Sequence, residues 1–404
     1  MGIADVPTGK VFWRHRLLCI QVAAALIIGA LLAITRVQAL EQEKSQPPLW
    51  GFIDHSGCVV VSPRFTNADS FKEGLAPAAL DGKWGYVDRH GTFIISPQYA
   101  YAGPFSEGRA IVSQDQIRFG YINHKGEAIT PLKFDNAGPF REGVAMVDER
   151  DRSVSFIDAY GKTVFETEAS WGDWQGGFSE GLAALMLGSK EISYLWGFVD
   201  RQGTVAIPAQ WGISGSDDAV QSFSEGMAVF HNYNAKGEET SGFIDKTGRV
   251  ILQSSRCTYG SFHEGLASCY VRDGKIGYID RDGRMRIQPQ FERASDFSEG
   301  IAAIENKAGN WGYVVSDGKQ LVPPIYSAAK NFSEGLAPVM TDKQLWGFID
   351  TRGKVVISPK YMEIKDFSEG LAAVRVSNSA PPARNRVAPT GAASHGPRRQ
   401  WRDH

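Results

Sequence analysis

The sequence predicts an all-β protein: nine tandem repeats of about 35 residues, each of three short strands, in an open curved solenoid-like array. Three recurring strings carry that reading. The first is Phe-x-Glu-Gly, one further residue, then Ala. It occurs nine times, with the aromatic at Phe71, Phe105, Phe140, Phe178, Phe223, Phe262, Phe297, Phe332 and Phe367. The second, Trp-Gly-aromatic-Ile/Val-Asp-x-x-Gly, starts at Trp50, Trp84, Trp196, Trp311 (without the Asp, at Val315) and Trp346, with degenerate copies at Phe119, Val154, Ser241 and Ile276. The third is a β-branched run ending in Pro-x-aromatic, seen at Val59–Phe65, Ile94–Tyr99 and Val355–Tyr361.

Each element follows from its residues. Trp50-Gly-Phe-Ile-Asp alternates as a half-buried strand does, and Val59-Val-Val-Ser is a second β-branched run. Between them Asp54-His-Ser-Gly57 places Asp and Gly where a tight hairpin turn wants them, the Gly at positive φ. Asp88, Asp158, Asp200, Asp245, Asp280 and Asp350 repeat the pattern, with Asn123 as a variant. Leu75-Ala-Pro-Ala and its equivalents supply the third strand. Three short strands bury no core alone, so neighbouring copies must stack, and long helices have no place in the array. A closed propeller-like ring is the alternative. Nine blades would exceed the usual four to eight, and propeller blades usually have four strands, which favours the open array. Yet the first copy begins at its Trp-Gly strand and the last ends at Leu371–Val374, an offset that would let last strand pair with first.

These strings resemble the bacterial WG β-repeat family, named for its Trp-Gly pair, over about residues 50–377. The resemblance implies a binding role and lends no catalytic residue.

The ends differ from the repeats. In residues 1–39 Lys10, Arg14, His15 and Arg16 precede an apolar run from Leu17 to Ile34, and Val37-Gln38-Ala39 has a small-residue cleavage pattern. This is a signal peptide or, uncleaved, an N-terminal membrane anchor; either exports the remainder to the periplasm, cell surface or medium. Residues 40–49 are a linker, and 378–404, with four prolines and five arginines, read as a disordered basic tail. Between the ends stand 34 Lys+Arg against 43 Asp+Glu, an acidic body that argues against a nucleic-acid partner. A membrane is expected to be met only through the N-terminal segment.

Identical Glu and Asp in every copy read as a fold rule, not as one differentiated catalytic site. The turn Asp is expected to bond local amides, and the Glu to satisfy loop amides before its Gly. His55, His90 and His124 occupy the turns of the first three copies and are read as exposed turn residues before a metal site. No His-Glu-x-x-His, Gly-x-Ser-x-Gly, Walker or Cys-x-x-Cys pattern occurs, and no cofactor or metal is expected.

Two irregularities stand out. In the sixth copy Arg256 takes the place of Phe65, Tyr99, Phe291 and Tyr361, the usual Pro is lost, and two thiols are gained. Cys269 occupies a core position, so Cys257 and Cys269 are expected to form a disulfide in an oxidising compartment, with Cys58 free and exposed. The fourth and fifth copies start 42 and 45 residues before the next, against the usual 34 or 35. Their extra residues hold Trp171, Trp174, Trp211, Asp217 and Asp218. Insertions in repeat arrays map to loops, often on the binding face, and tryptophans there stack on sugars or anchor proteins. The expected function is therefore a non-enzymatic binding or scaffold protein of the cell envelope or exterior, its partner a protein or a cell-wall polysaccharide. The alternative is an envelope hydrolase or modifying enzyme with its site in those two copies.

Overall fold

A computed structural model describes residues 48–148, 154–167, 174–187, 195–212, 219–233 and 239–377. Residues 1–39 and 378–404, expected from sequence to be an export segment and a basic tail, lie outside these residues. All regular structure among the described residues is β, in nine small antiparallel sheets.

The sheets form a closed ring, a nine-bladed propeller, which corrects the open array favoured from sequence. The first strand, Leu49–Asp54, pairs antiparallel with the last, Leu371–Val376, over six residues from Leu49 opposite Val376 to Asp54 opposite Leu371. One blade thus takes its outer two strands from the start of the repeats and its inner two from the end, in the order Val59–Phe65, Leu49–Asp54, Leu371–Val376, Glu363–Ile364. The physical reason is edge satisfaction. An open array would leave the first and last strands with unpaired backbone groups, and closure removes both edges.

A full blade has four strands, one more than the sequence suggests. In blade one these are Asn67–Ala68, Ala76–Leu80, Lys83–Val87 and Phe93–Tyr99, hydrogen-bonded in that order. The inner strand has two residues, too few to show an alternation in sequence. The second and third strands are almost wholly buried, while Phe93–Tyr99 alternates buried and exposed as an outer edge does. Each sequence repeat therefore supplies the outer half of one blade and the inner half of the next. With blades numbered from this one, the closing blade is the ninth.

The Trp-Gly pair has a steric basis. The outer strand bulges as it crosses the third, with register shifts flanking Tyr86. A Cβ at Gly85 would stand 2.3 Å from the Ile95 carbonyl oxygen and 2.8 Å from the Pro97 nitrogen, both backbone atoms with nowhere to go. Glycine there lets the two strands touch. The aromatics of the strings fill the space between blades: Phe52, Phe71, Tyr86 and Phe348 are fully buried, and the Phe52 and Phe71 rings lie 4.9 Å apart. The Tyr86 hydroxyl reaches onward to donate to the Gly103 carbonyl at 2.7 Å.

The turn aspartates act locally. Asp54 Oδ1 accepts from the amides of Ser56 and Cys58 at 2.9 and 3.0 Å, and Asp88 repeats this with His90 and Thr92.

Candidate functional site

Strand direction fixes two unlike faces. The loops between inner and second strands and the hairpins between third and outer strands lie on one face. The loops between second and third strands, and the connections from blade to blade, lie on the other, called here the far face.

The first face is a clasp made by the Phe-x-Glu-Gly string. The Phe is buried, and the chain reverses just after it with Glu and Gly both at positive φ, 54° and 83° at Glu73 and Gly74. A left-handed Glu costs about 1–2 kcal/mol, so something must hold it there. What holds it is the next blade, where the carboxylate accepts from the backbone amide of the following Glu-Gly pair. Glu73 accepts from Gly108 (2.8 Å), Glu107 from Glu142 and Gly143 (2.6 and 2.8 Å), Glu142 from Gly181 (2.9 Å), and so on to Glu334 with Gly370 (2.8 Å). Glu369 then accepts from Gly74 at 2.9 Å, closing the circle. The sequence reading had these glutamates on loop amides of their own copy; the amides belong to the neighbour. Serines between Phe and Glu reinforce the link, as when the Ser368 hydroxyl donates to the Phe71 carbonyl at 2.7 Å.

The residue after the turn Asp often adds a cation. Arg89, Arg201, Lys246 and Arg281 donate to the carbonyls of Glu369, Glu142, Glu180 and Glu225. His55 and His124 stack on Phe367 and Phe105 at 4.4 and 4.2 Å and face Glu334 and Glu73, so they serve this ring. Where Ala159 removes the cation, Arg109 from the neighbouring blade takes its place, donating to the carbonyls of Ala159 and Glu107 over the Phe140 ring.

These partners set the acid response. Burial alone would raise Glu180 and Glu225, but Lys246 and Arg281 with the Gly226 and Gly265 amides hold both below their ordinary 4.5. Asp245, with the Thr247 hydroxyl as its main partner, is pushed down to about 2. A lowered folded pKa means stability fully present above the unfolded value and lost as the pH falls through the folded one. Thermal melts should therefore hold above about pH 4.5 and decline toward pH 2; a flat profile over that window would count against the clasp. Glu107→Gln keeps one acceptor but loses the second, and should cost about 1 kcal/mol in urea unfolding after discounting for solvent exposure. An unchanged midpoint would show that the ring stands without its carboxylates.

The far face carries the departures from regularity. Asp148 and Val154, Leu187 and Leu195, and Tyr233 and Glu239, each at or next to a strand end, lie there and flank undescribed loops in blades three to five. The blade connections after Thr167 and after Gly212 start from the same face, where Leu49 and Val376, at the two ends of the ring, also lie.

The sequence-predicted residues divide among these places. Trp171, Asp217 and Asp218 lie outside the described residues. Trp174 starts the inner strand of blade four opposite Leu185, and its side chain lies outside the description. Trp211 is corrected: it ends the outer strand Val205–Trp211, 4% exposed, with Phe198 and Phe230 at 6.5 and 5.9 Å. Its indole lies in the core.

Cys257 and Cys269 are bonded across the inner and second strands of blade six, and Cys58 is free and exposed. The bridge spans 12 residues, for which chain entropy gives about 3 kcal/mol. Thiol titration of the unfolded chain from residue 40 onward should find one free thiol. Three would refute the bridge.

No curated protein matches this sequence. Solved structures similar to it include the computationally designed Ika8 protein, at 13% identity over 72% of this chain and 95% of that one, with a TM-score of 0.39. BamB from Moraxella catarrhalis is similar at 10% identity over 78% and 98%, TM-score 0.38, and a eukaryotic initiation factor at 12% over 79% and 87%, TM-score 0.43. The family described as WG containing repeat matches residues 50–84, 84–116, 119–151, 196–231, 276–309, 311–344 and 346–378, more than half of the chain. The chain belongs to the WG-containing repeat family.

Proposed function

We propose that this protein is a non-enzymatic binding scaffold, exported across a membrane, which takes up a protein or cell-wall polysaccharide on its far face around blades three to five. The observation that carries the reading is the segregation of the two faces. On the clasp face the recurring carboxylates accept hydrogen bonds from backbone amides, blade after blade around the ring, which is a structural use of ionisable groups. The far face gathers the long connections of blades three to five, and specificity in a repeat array arises where the repeats differ. Trp171, Trp174, Asp217 and Asp218 fall in or beside those connections by sequence. Export rests on the basic n-region and apolar run of residues 1–39.

The test is capture from envelope extracts with residues 40–404 as bait. Trp171→Ala with Trp174→Ala, and separately Asp217→Asn with Asp218→Asn, should lose the captured partner while the melt stays unchanged. Glu107→Gln on the clasp face should keep it. Equal capture by all variants would place the contact elsewhere.

A further inference from the structure

The junction of blades five and six is one of those without the tryptophan–aromatic pair that five other blades carry. In five blades a tryptophan opening the third strand stands opposite an aromatic ending the outer strand: Trp50 and Phe65, Trp84 and Tyr99, Trp196 and Trp211, Trp311 and Tyr326, Trp346 and Tyr361. In blade five Ser241 stands opposite Ser254, the last residue of the outer strand, and Arg256, which the sequence sets in the aromatic's place, lies just beyond that strand. Part of the lost volume is refilled from the next blade. Tyr259 stands where five other blades have Ala68, Ala102, Ala137, Ala294 and Ala329. Its ring is buried 5.1 Å from that of Phe243, and its amide donates to the Ser241 hydroxyl at 3.0 Å.

One phenol ring does not replace an indole and a second aromatic. The remainder is a cleft of about 100 Å³ at the far face, bordered by Ser255, Arg256, Cys257, Tyr270, Arg272 and Glu239. The disulfide at Cys257 ties the residue after Arg256 to the buried second strand, so one wall of the cleft is fixed.

The charge of this cleft runs against that of the body, which is acidic by 34 Lys+Arg to 43 Asp+Glu. Two guanidinium groups meet one carboxylate. That carboxylate, Glu239, already accepts from the Thr258 hydroxyl at 3.1 Å and lies 3.7 Å from His231 Nδ1. Arg256, just past the end of the outer strand, is exposed. The volume is that of about three waters, close to one carboxylate or phosphate group. Guanidinium forks match the paired oxygens of either.

We infer that this cleft binds a single oxyanion group, carboxylate or phosphate, carried by the partner of the far face; this rests on the reading of that face as the binding face. Ser255 and Tyr270 add hydroxyl donors at its border.

The test is calorimetric titration of residues 40–404 with inorganic phosphate and, separately, acetate, at ionic strength matched with sodium chloride. At least one anion should saturate, and Arg256→Gln or Arg272→Gln should each weaken it about tenfold or more. Both arginines are exposed, so the melt should be unchanged. Arg286→Gln, an exposed arginine on the outer strand of blade six and outside the cleft, should bind as wild type. Saturation by phosphate alone assigns a phosphate-bearing partner, and by acetate a carboxylate-bearing one. No saturation by either anion, or equal binding by the two cleft variants and wild type, overturns the site. Partner capture is a separate measurement, so lost capture with intact anion binding would fault the choice of binding face and leave the site standing.

Discussion

A chain ending at Gly370 is expected to lose the cooperative thermal transition of the ring. The missing strand, Leu371–Val376, is the one among the described residues that joins the two ends of the repeat array within a sheet, pairing over six residues with Leu49–Asp54. It buries Leu371 and Val374, and its removal uncovers Phe52 and Ile53, both fully buried in the intact ring. Deleting a large buried aliphatic side chain costs about 2–5 kcal/mol, so two such losses with the ladder approach the 5–15 kcal/mol that holds an ordinary domain. The clasp bond from Gly74 to Glu369 survives the truncation on paper but closes nothing once its blade is incomplete. A chain ending at Ser377 keeps the pairing and should melt like the full chain. Circular dichroism on the two truncations decides the matter. If the shorter chain melts within about 2 °C of the longer, the ring is not held by this strand pair.

Much of the fold was legible because it is local. The Asp-x-x-Gly turns, the β-branched runs and the Phe anchors are each specified within a few residues, and nine copies remove ambiguity. Three things were not legible, each for a physical reason. The inner strand is two residues long, as at Asn67–Ala68, and two residues carry no period. Closure pairs Leu49 with Val376 through backbone bonds that have no residue signature; only the offset of the first and last copies hinted at it. The clasp glutamates accept from amides about one repeat away, and in a perfect repeat the neighbour's Gly has the same spelling as the local one. Of the candidate site, the pairing of Cys257 with Cys269 was readable because Cys269 falls on a core position. The refilling of the same junction by Tyr259 was readable too, from the single Tyr in a column of alanines, but only once the column is seen as an inner strand.

Trp211→Ala is expected to destabilise the ring by about 3–5 kcal/mol, the range for a buried aromatic cut to Ala. The sequence placed Trp211 in an inserted loop because its outer strand spells Pro208-Ala-Gln-Trp211, with the Pro one residue earlier than in Pro63-Arg-Phe65. Counting from the start of the strand removes the difference. Val205–Trp211 and Val59–Phe65 are both seven residues long, and both end in a buried aromatic opposite a tryptophan. Trp211 belongs to a cluster with Trp196, Phe198, Ile207, Phe223 and Phe230, which closes blade four onto blade five. Blade five then meets blade six at a junction where Ser241 and Ser254 replace the usual aromatic pair, so the neighbouring packing offers little to offset the loss. Urea unfolding should show a lower midpoint with the slope unchanged, since the cavity weakens the native state without altering the surface exposed on unfolding. Trp211→Phe, which keeps a ring in the position that Phe65 and Phe291 fill elsewhere, should recover most of the loss. A Trp211→Ala protein as stable as wild type would return this residue to the surface, and with it the reading of the fourth and fifth copies as an exposed aromatic loop.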